Sequence, residues 1–176
     1  MRVIAGSLKG RRLKAPTWGG LRPTSDTLRE TLFNILAPRI AGARVLDGFA
    51  GTGAIGIEAL SRGAAHVTFV ERDRRAQALI AENLAHCGVT DGYVIIRASV
   101  GRAIDELGGE SFEIMIFDPP YDEAADDVLA AAVERLSAGG VLVVEHARRR
   151  PPPERLGPLR CAREVTSGGS SLALYF

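Results

Sequence analysis

Two short motifs carry the residue types from which a chemical site could be built. The first is Asp47-Gly48-Phe49-Ala50-Gly51-Thr52-Gly53-Ala54-Ile55-Gly56, in which Gly51, Gly53 and Gly56 spell GxGxxG. Glycines have no Cβ, so such a loop can lie with its backbone directly against a ligand while it opens a helix. Glu71 follows twenty residues after Gly51, where a carboxylate accepts hydrogen bonds from ribose hydroxyls. The second motif is Asp118-Pro119-Pro120-Tyr121. Its prolines fix the backbone, so the Asp118 carboxylate and the Pro119 carbonyl can together accept both hydrogens of a planar exocyclic amine. Tyr121 is then placed to stack on the attached base.

The glycine loop alone does not separate a nicotinamide dinucleotide from other adenosine-containing cofactors. Asp47 tips the balance: a carboxylate facing the loop repels a pyrophosphate and suits positive charge. S-adenosylmethionine carries an ammonium and a sulfonium and no phosphate, which makes it the expected cofactor. The Asp-Pro-Pro-Tyr corner fits that donor. Holding an amine by its hydrogens draws the nitrogen lone pair out of conjugation and aims it at an electrophilic methyl, and such positioning is most of what direct transfer requires.

The hydrophobic pattern supplies elements that bring these motifs together. Arg44–Asp47 reads as a buried strand running into the glycine loop, and Ala54–Arg62 as the helix that the loop opens, closed by Gly63. His66–Val70 is a second strand. Asp73 caps a helix over Arg74–His86, and Gly88 ends it. Tyr93–Ile96 is a third strand, followed by a shorter helix over Gly101–Leu107. Phe112–Phe117 is a fourth strand that stops at the prolines, which cannot donate to a ladder. Ala124–Leu136 reads as a helix ended by Gly139-Gly140, and Val141–Glu145 as a fifth strand. Residues 159–165 and 171–176 form a hairpin around Ser167-Gly168-Gly169-Ser170. The expected fold is therefore α/β and Rossmann-like: a mostly parallel seven-stranded sheet with a C-terminal antiparallel hairpin.

Residues 1–40 read differently, as a basic N-terminal extension of the domain formed by residues 41–176. Arg2–Ala5 and Arg11–Ala15 are short strand-like pieces, and a helix capped by Thr24 or Ser25 runs to Ala37 before Pro38. Leu28, Leu32 and Ile35 give that helix an apolar stripe. The extension holds eight Lys or Arg against two acids, Asp26 and Glu30, while the remaining residues hold fourteen basic and nineteen acidic side chains. A basic arm on an acidic body points to a polyanion such as nucleic acid. Lys9, Arg11, Arg12 and Lys14 are the candidate phosphate contacts. Trp18 is either a stacking surface or ordinary packing, and Arg22 is placed to close over cofactor or base. Arg148, Arg149 and Arg150 make a second basic patch.

At 176 residues, with 46% hydrophobic and 24% charged, the chain is of single-domain size and too apolar to be largely disordered. No apolar run approaches a membrane span, and no apolar leader stretch is present. Two cysteines and three scattered histidines suggest neither a disulfide scaffold nor a metal centre. A cytoplasmic protein without metal or membrane is the expectation.

The loop with Glu58-Ala59-Leu60-Ser61-Arg62-Gly63-Ala64, the DPPY corner and the arm segments Arg2-Val3-Ile4-Ala5-Gly6, Arg22-Pro23-Thr24 and Arg29-Glu30-Thr31-Leu32-Phe33-Asn34-Ile35-Leu36 resemble the RsmD-type bacterial ribosomal RNA methyltransferases along essentially the whole chain. The resemblance implies a class I S-adenosylmethionine-dependent methyltransferase, acting on the N2 amine of a guanine in 16S ribosomal RNA of the small subunit; a monomer is the expectation. It assigns Asp47, Gly51 and Gly53, with their neighbours Phe49 and Ala50, and Glu71 with Arg72, to the cofactor, and Asp118, Pro119, Pro120 and Tyr121 to catalysis. One position departs: where relatives carry an aspartate for the adenine amine, this chain offers Ser99, which accepts a hydrogen bond without charge. Three other readings stay open. They are N6-adenine methylation of DNA or RNA by the same corner, a nicotinamide-dependent oxidoreductase supported only by GxGxxG, and a non-catalytic RNA-binding assembly factor.

Overall fold

The computed structural model describes residues 1–19, 24–120 and 125–176. Its strands are β1 (Arg44–Gly48), β2 (His66–Val70), β3 (Tyr93–Ile96), β4 (Phe112–Phe117), β5 (Leu136–Ala147), β6 (Arg155–Leu156), β7 (Leu159–Ser167) and β8 (Ser170–Tyr175). They form one sheet in the order β3-β2-β1-β4-β5-β8-β7-β6. The first five are parallel, and β8, β7 and β6 add antiparallel at one end. The helices are α1 (Asp26–Ile40), α2 (Ala54–Ser61), α3 (Arg74–His86), α4 (Val100–Glu106) and α5 (Asp126–Ala132).

The central strands are apolar on both sides because both faces are covered. Val45, Ile114, Ile116, Val141, Val143 and Leu174 belong to one buried cluster with α1, α2 and α3. Their chain neighbours Leu46, Met115, Phe117, Leu142, Val144 and Tyr175 belong to a second cluster, with α4 and α5. Successive residues of a strand point to opposite faces, so this alternation is the sandwich itself.

Four expectations require correction. Among the described residues the sheet has eight strands, because Arg155–Leu156 adds a two-residue β6 beside β7. Helix α1 runs through Pro38 to Ile40, since burying Ile40 extends the stripe of Leu28, Leu32, Phe33 and Leu36 by one more turn. The expected last helix ends at Ala132 and tightens to a 3-10 turn over Val133–Arg135, while Gly139 and Gly140 lie within β5. There Leu136 pairs with Phe112 and Val141 with Ile114, so the intervening residues bulge from the ladder. Finally, among its described residues the arm contains no regular strands but one antiparallel bridge, Arg2 to Arg12, with Val3 N donating to Arg11 O at 2.9 Å.

The arm is held to the body by side chains that meet its backbone donors. Glu58 accepts from Ile4 N at 2.7 Å and Ala5 N at 3.0 Å. Val3 and Leu13 are buried in the same cluster as α1.

Candidate active site

The carboxyl ends of β1, β2, β4 and β5 open onto a cleft of about 1020 Å³. This is the edge at which open α/β sheets bind ligands. The glycine loop crosses its floor. A Cβ on Gly48 would stand 2.4 Å from the Phe117 ring, so the turn out of β1 admits no side chain there. Phe49 has φ of 61°, the only non-glycine among the described residues with positive φ, and Gly51 and Gly53 follow at 55° and 78°. A non-glycine in that region is strained, and such strain concentrates at functional turns. Gly56 serves packing: its Cβ would meet Phe69 at 2.2 Å, so α2 lies tight on β2.

Gly53 is the N-cap of α2 and has no side chain to cap it. Asp47, from the end of β1, takes that task, accepting from Gly56 N at 2.9 Å. Asp47 is buried and lines the cleft. Burial pushes its carboxyl up to about 8, against the Gly56 bond that lowers it, and the nearby Glu71 charge raises it further. Glu71 fixes the loop from the other side, accepting from Gly51 N at 2.9 Å and from Asp73 N at 2.8 Å. Each carboxylate oxygen keeps a second acceptor position for a ligand hydroxyl.

Asp47, Phe49, Ala50, Gly51, Glu71, Arg72 and Ser99 all line the cleft, whereas Gly53 acts behind it as the helix cap. Ser99 caps α4, accepting from Arg102 N at 3.4 Å. Asp118, Pro119 and Pro120 line the same cleft at the end of β4. Tyr121 and Arg22 lie outside the described residues. Lys9, Arg11, Arg12 and Lys14 are exposed and do not line the cleft. Lys14 pairs with Glu82 at 3.1 Å and Arg11 donates to His86 O at 3.4 Å.

Several cleft residues were not among the expected site residues. Glu145 lies near the carboxyl end of β5 as Asp47 lies near that of β1 and Asp118 follows β4, a signal present in the run Val141–Glu145. It is 4% exposed, and Thr24 Oγ1 donates to its Oε2 at 2.9 Å while standing 3.5 Å from Asp118 Oδ2. The hairpin tip, Ser167–Ser170, forms another part of the wall. Trp18 stacks on the Arg75 guanidinium at 5.1 Å, and Arg75 in turn grips Asp73. The indole therefore stands on the Glu71 side of the cleft.

Fold and cleft together define a class, the Rossmann-like S-adenosylmethionine-dependent methyltransferases. The structure matches "Putative methyltransferase yhhF from Escherichia coli" with a TM-score of 0.83 and 32% identity, covering 99% of this chain and 96% of that one. Within the class, the chain belongs to the RsmD-type methyltransferase family, whose model, described as "Conserved hypothetical protein 95", matches residues 1–176. It is 39% identical over 180 residues to "Putative rRNA methyltransferase YlbH" of Bacillus subtilis (strain 168), covering 99% of this chain and 98% of that protein. It is 43% identical over 121 residues to "Ribosomal RNA small subunit methyltransferase D" of Escherichia coli (strain K12), covering 69% of this chain and 60% of the relative's length.

Proposed function

We propose that this protein transfers a methyl group from S-adenosylmethionine to the exocyclic N2 amine of a guanine in 16S ribosomal RNA of the small subunit. The observation that carries the reading is the convergence, in one cleft, of the glycine loop with Asp47 and Glu71 and of the Asp118-Pro119-Pro120 corner. The described residues fit the cofactor by their chemistry. Asp47 is a buried acid that meets a backbone N–H and the like charge of Glu71, and it suits the ammonium. Glu71 suits the ribose hydroxyls, and Ala98, Ser99 and Val100 make an apolar slot with one hydroxyl for adenine.

When bound, S-adenosylmethionine supplies an electrophilic methyl and a neutral thioether leaving group. The protein's task is positioning. Asp118 and the Pro119 carbonyl accept the amine hydrogens, so the nitrogen lone pair faces the methyl. As the N–C bond forms and the S–C bond breaks, the amine becomes cationic, and the Asp118 carboxylate stabilises it until one N–H proton leaves to solvent. The target must be unpaired or flipped to reach this depth. Residues 1–40 serve as the RNA-binding extension, with Lys9, Arg11, Arg12 and Lys14 on phosphates and Arg22 near the base. Tyr121 stacks on the base. The protein works as a cytoplasmic monomer.

Methyl-labelled S-adenosylmethionine, unmethylated small subunits and nucleoside analysis test the reading. Label in N2-methylguanosine, lost in Asp118→Ala, is the expected result. Label in N6-methyladenosine overturns the base assignment, and tight RNA binding without label overturns the enzyme.

A further inference from the structure

Asp118 is not the only carboxylate at the corner. On the β4–β5 ladder Phe117 pairs with Val144, so Asp118, the first residue past β4, and Glu145, on β5, come next along the two chains. Both continue the face of Ile116 and Val143, the face that α1 covers. Thr24, two residues before α1, reaches back between them, donating to Glu145 at 2.9 Å. Glu145 is 4% exposed and lines the cleft beside Pro119 and Ser170.

We infer that Glu145 is the residue that selects guanine, by accepting the N1–H beside the amine that Asp118 holds. This assignment rests on the guanine-N2 reading and sharpens it. The N2 amine of guanine is flanked by N1 and N3; with the base entered so that its N1 edge turns towards β5, N1 faces Glu145. In guanine that nitrogen, N1, carries a hydrogen. In adenine, with N6 held, the neighbour is an N1 lone pair, and in cytosine, with N4 held, it is the N3 lone pair. A buried carboxylate accepts from the first and repels the other two. Thr24 donates to Glu145 Oε2 and so helps to set the orientation of its carboxylate. The same corner that holds any exocyclic amine thus becomes specific through its neighbour.

The test first maps the methylated position with intact subunits. A synthetic RNA fragment or reconstituted subunit is then made with guanine or 2-aminopurine there; the latter keeps the N2 amine but has an N1 lone pair. Wild-type protein is expected to methylate guanine about 100-fold faster in single turnover, the size of effect that losing a bond to a buried charged group gives. Glu145→Gln, whose amide can donate, is expected to lose most guanine activity and narrow or invert the preference, with cofactor affinity kept. Equal wild-type rates on both bases overturn the assignment without any variant. An equal loss on both bases in Glu145→Gln overturns it too, since a merely structural residue would act so. Wild-type label in N6-methyladenosine instead overturns the guanine reading and this assignment together, which tells the two failures apart.

Discussion

Asn83 donates through Nδ2 to the carbonyl of Thr52, in the glycine loop, at 3.0 Å, from a helix position that is fully buried. The same side chain accepts from Lys14 N at 2.7 Å. One amide therefore ties the basic arm to the cofactor loop, and order in one is order in the other. Asn83→Ala leaves buried backbone groups without partners and is expected to destabilise the protein by about 1–3 kcal/mol. Denaturant titration checks this, and calorimetry should show weaker cofactor binding in the same variant.

Asp47 makes stability and cofactor binding depend on pH in opposite directions. Its folded value, about 8, lies above the ordinary 3.8, so the folded chain holds this proton where the unfolded chain has lost it. The carboxyl therefore costs nothing below about pH 4, and its destabilising effect grows as pH rises to about 8, by no more than ~1.4 kcal/mol per unit. Thermal unfolding of the cofactor-free protein should show that decline, and Asp47→Asn, which keeps an oxygen for Gly56 N, should flatten it. Binding of a cation favours the ionised form, so affinity for S-adenosylmethionine should rise towards pH 8 with release of a proton. Calorimetry in buffers of different ionisation enthalpy measures that proton.

Gly56→Ala places a methyl where Phe69 and Val67 already stand, with the ring at 2.2 Å. Forcing α2 away from β2 should cost about 1–3 kcal/mol. Phe69→Leu in the same chain should recover part of that loss, and a double-mutant cycle by chemical denaturation reads the coupling.

Replacing Lys9, Arg11, Arg12 and Lys14 with Gln should weaken RNA binding and leave cofactor affinity unchanged, because none of the four lines the cleft. For single-stranded RNA, the slope of log affinity against log salt should fall by about 0.7 for each phosphate no longer neutralised. Little stability should go with them: the exposed Lys14–Glu82 pair is worth at most about 1 kcal/mol.

Much of this was legible because local chemistry and global fold agree. Strands β1 to β4 fall on their apolar runs, Asp73 accepts from Arg75 N as a cap, and the hairpin turns at its two glycines. Pattern failed where packing overrode it. Pro38 reads as a stop, yet Ile40 is worth burying; Gly139-Gly140 reads as a helix end, yet the chain is already in β5. The site divides in the same way. Asp47 and Glu71 were visible from spacing to the glycines, but that Asp47 caps α2 required the fold. Glu145 and Thr24 are 121 positions apart, and no local pattern joins them.

The arm alternates between residues that fill the core and residues that face water. Val3 and Leu13 are buried with α1, whereas their chain neighbours Arg2, Arg11, Arg12 and Lys14 are exposed. Charge on this surface can therefore drift from one homologue to another at almost no cost in folding, while an inserted or deleted residue would shift Val3 or Leu13 out of place. For folding, this segment is tolerant in side-chain chemistry and intolerant of a change in length, so any constraint on its charges comes from what it binds.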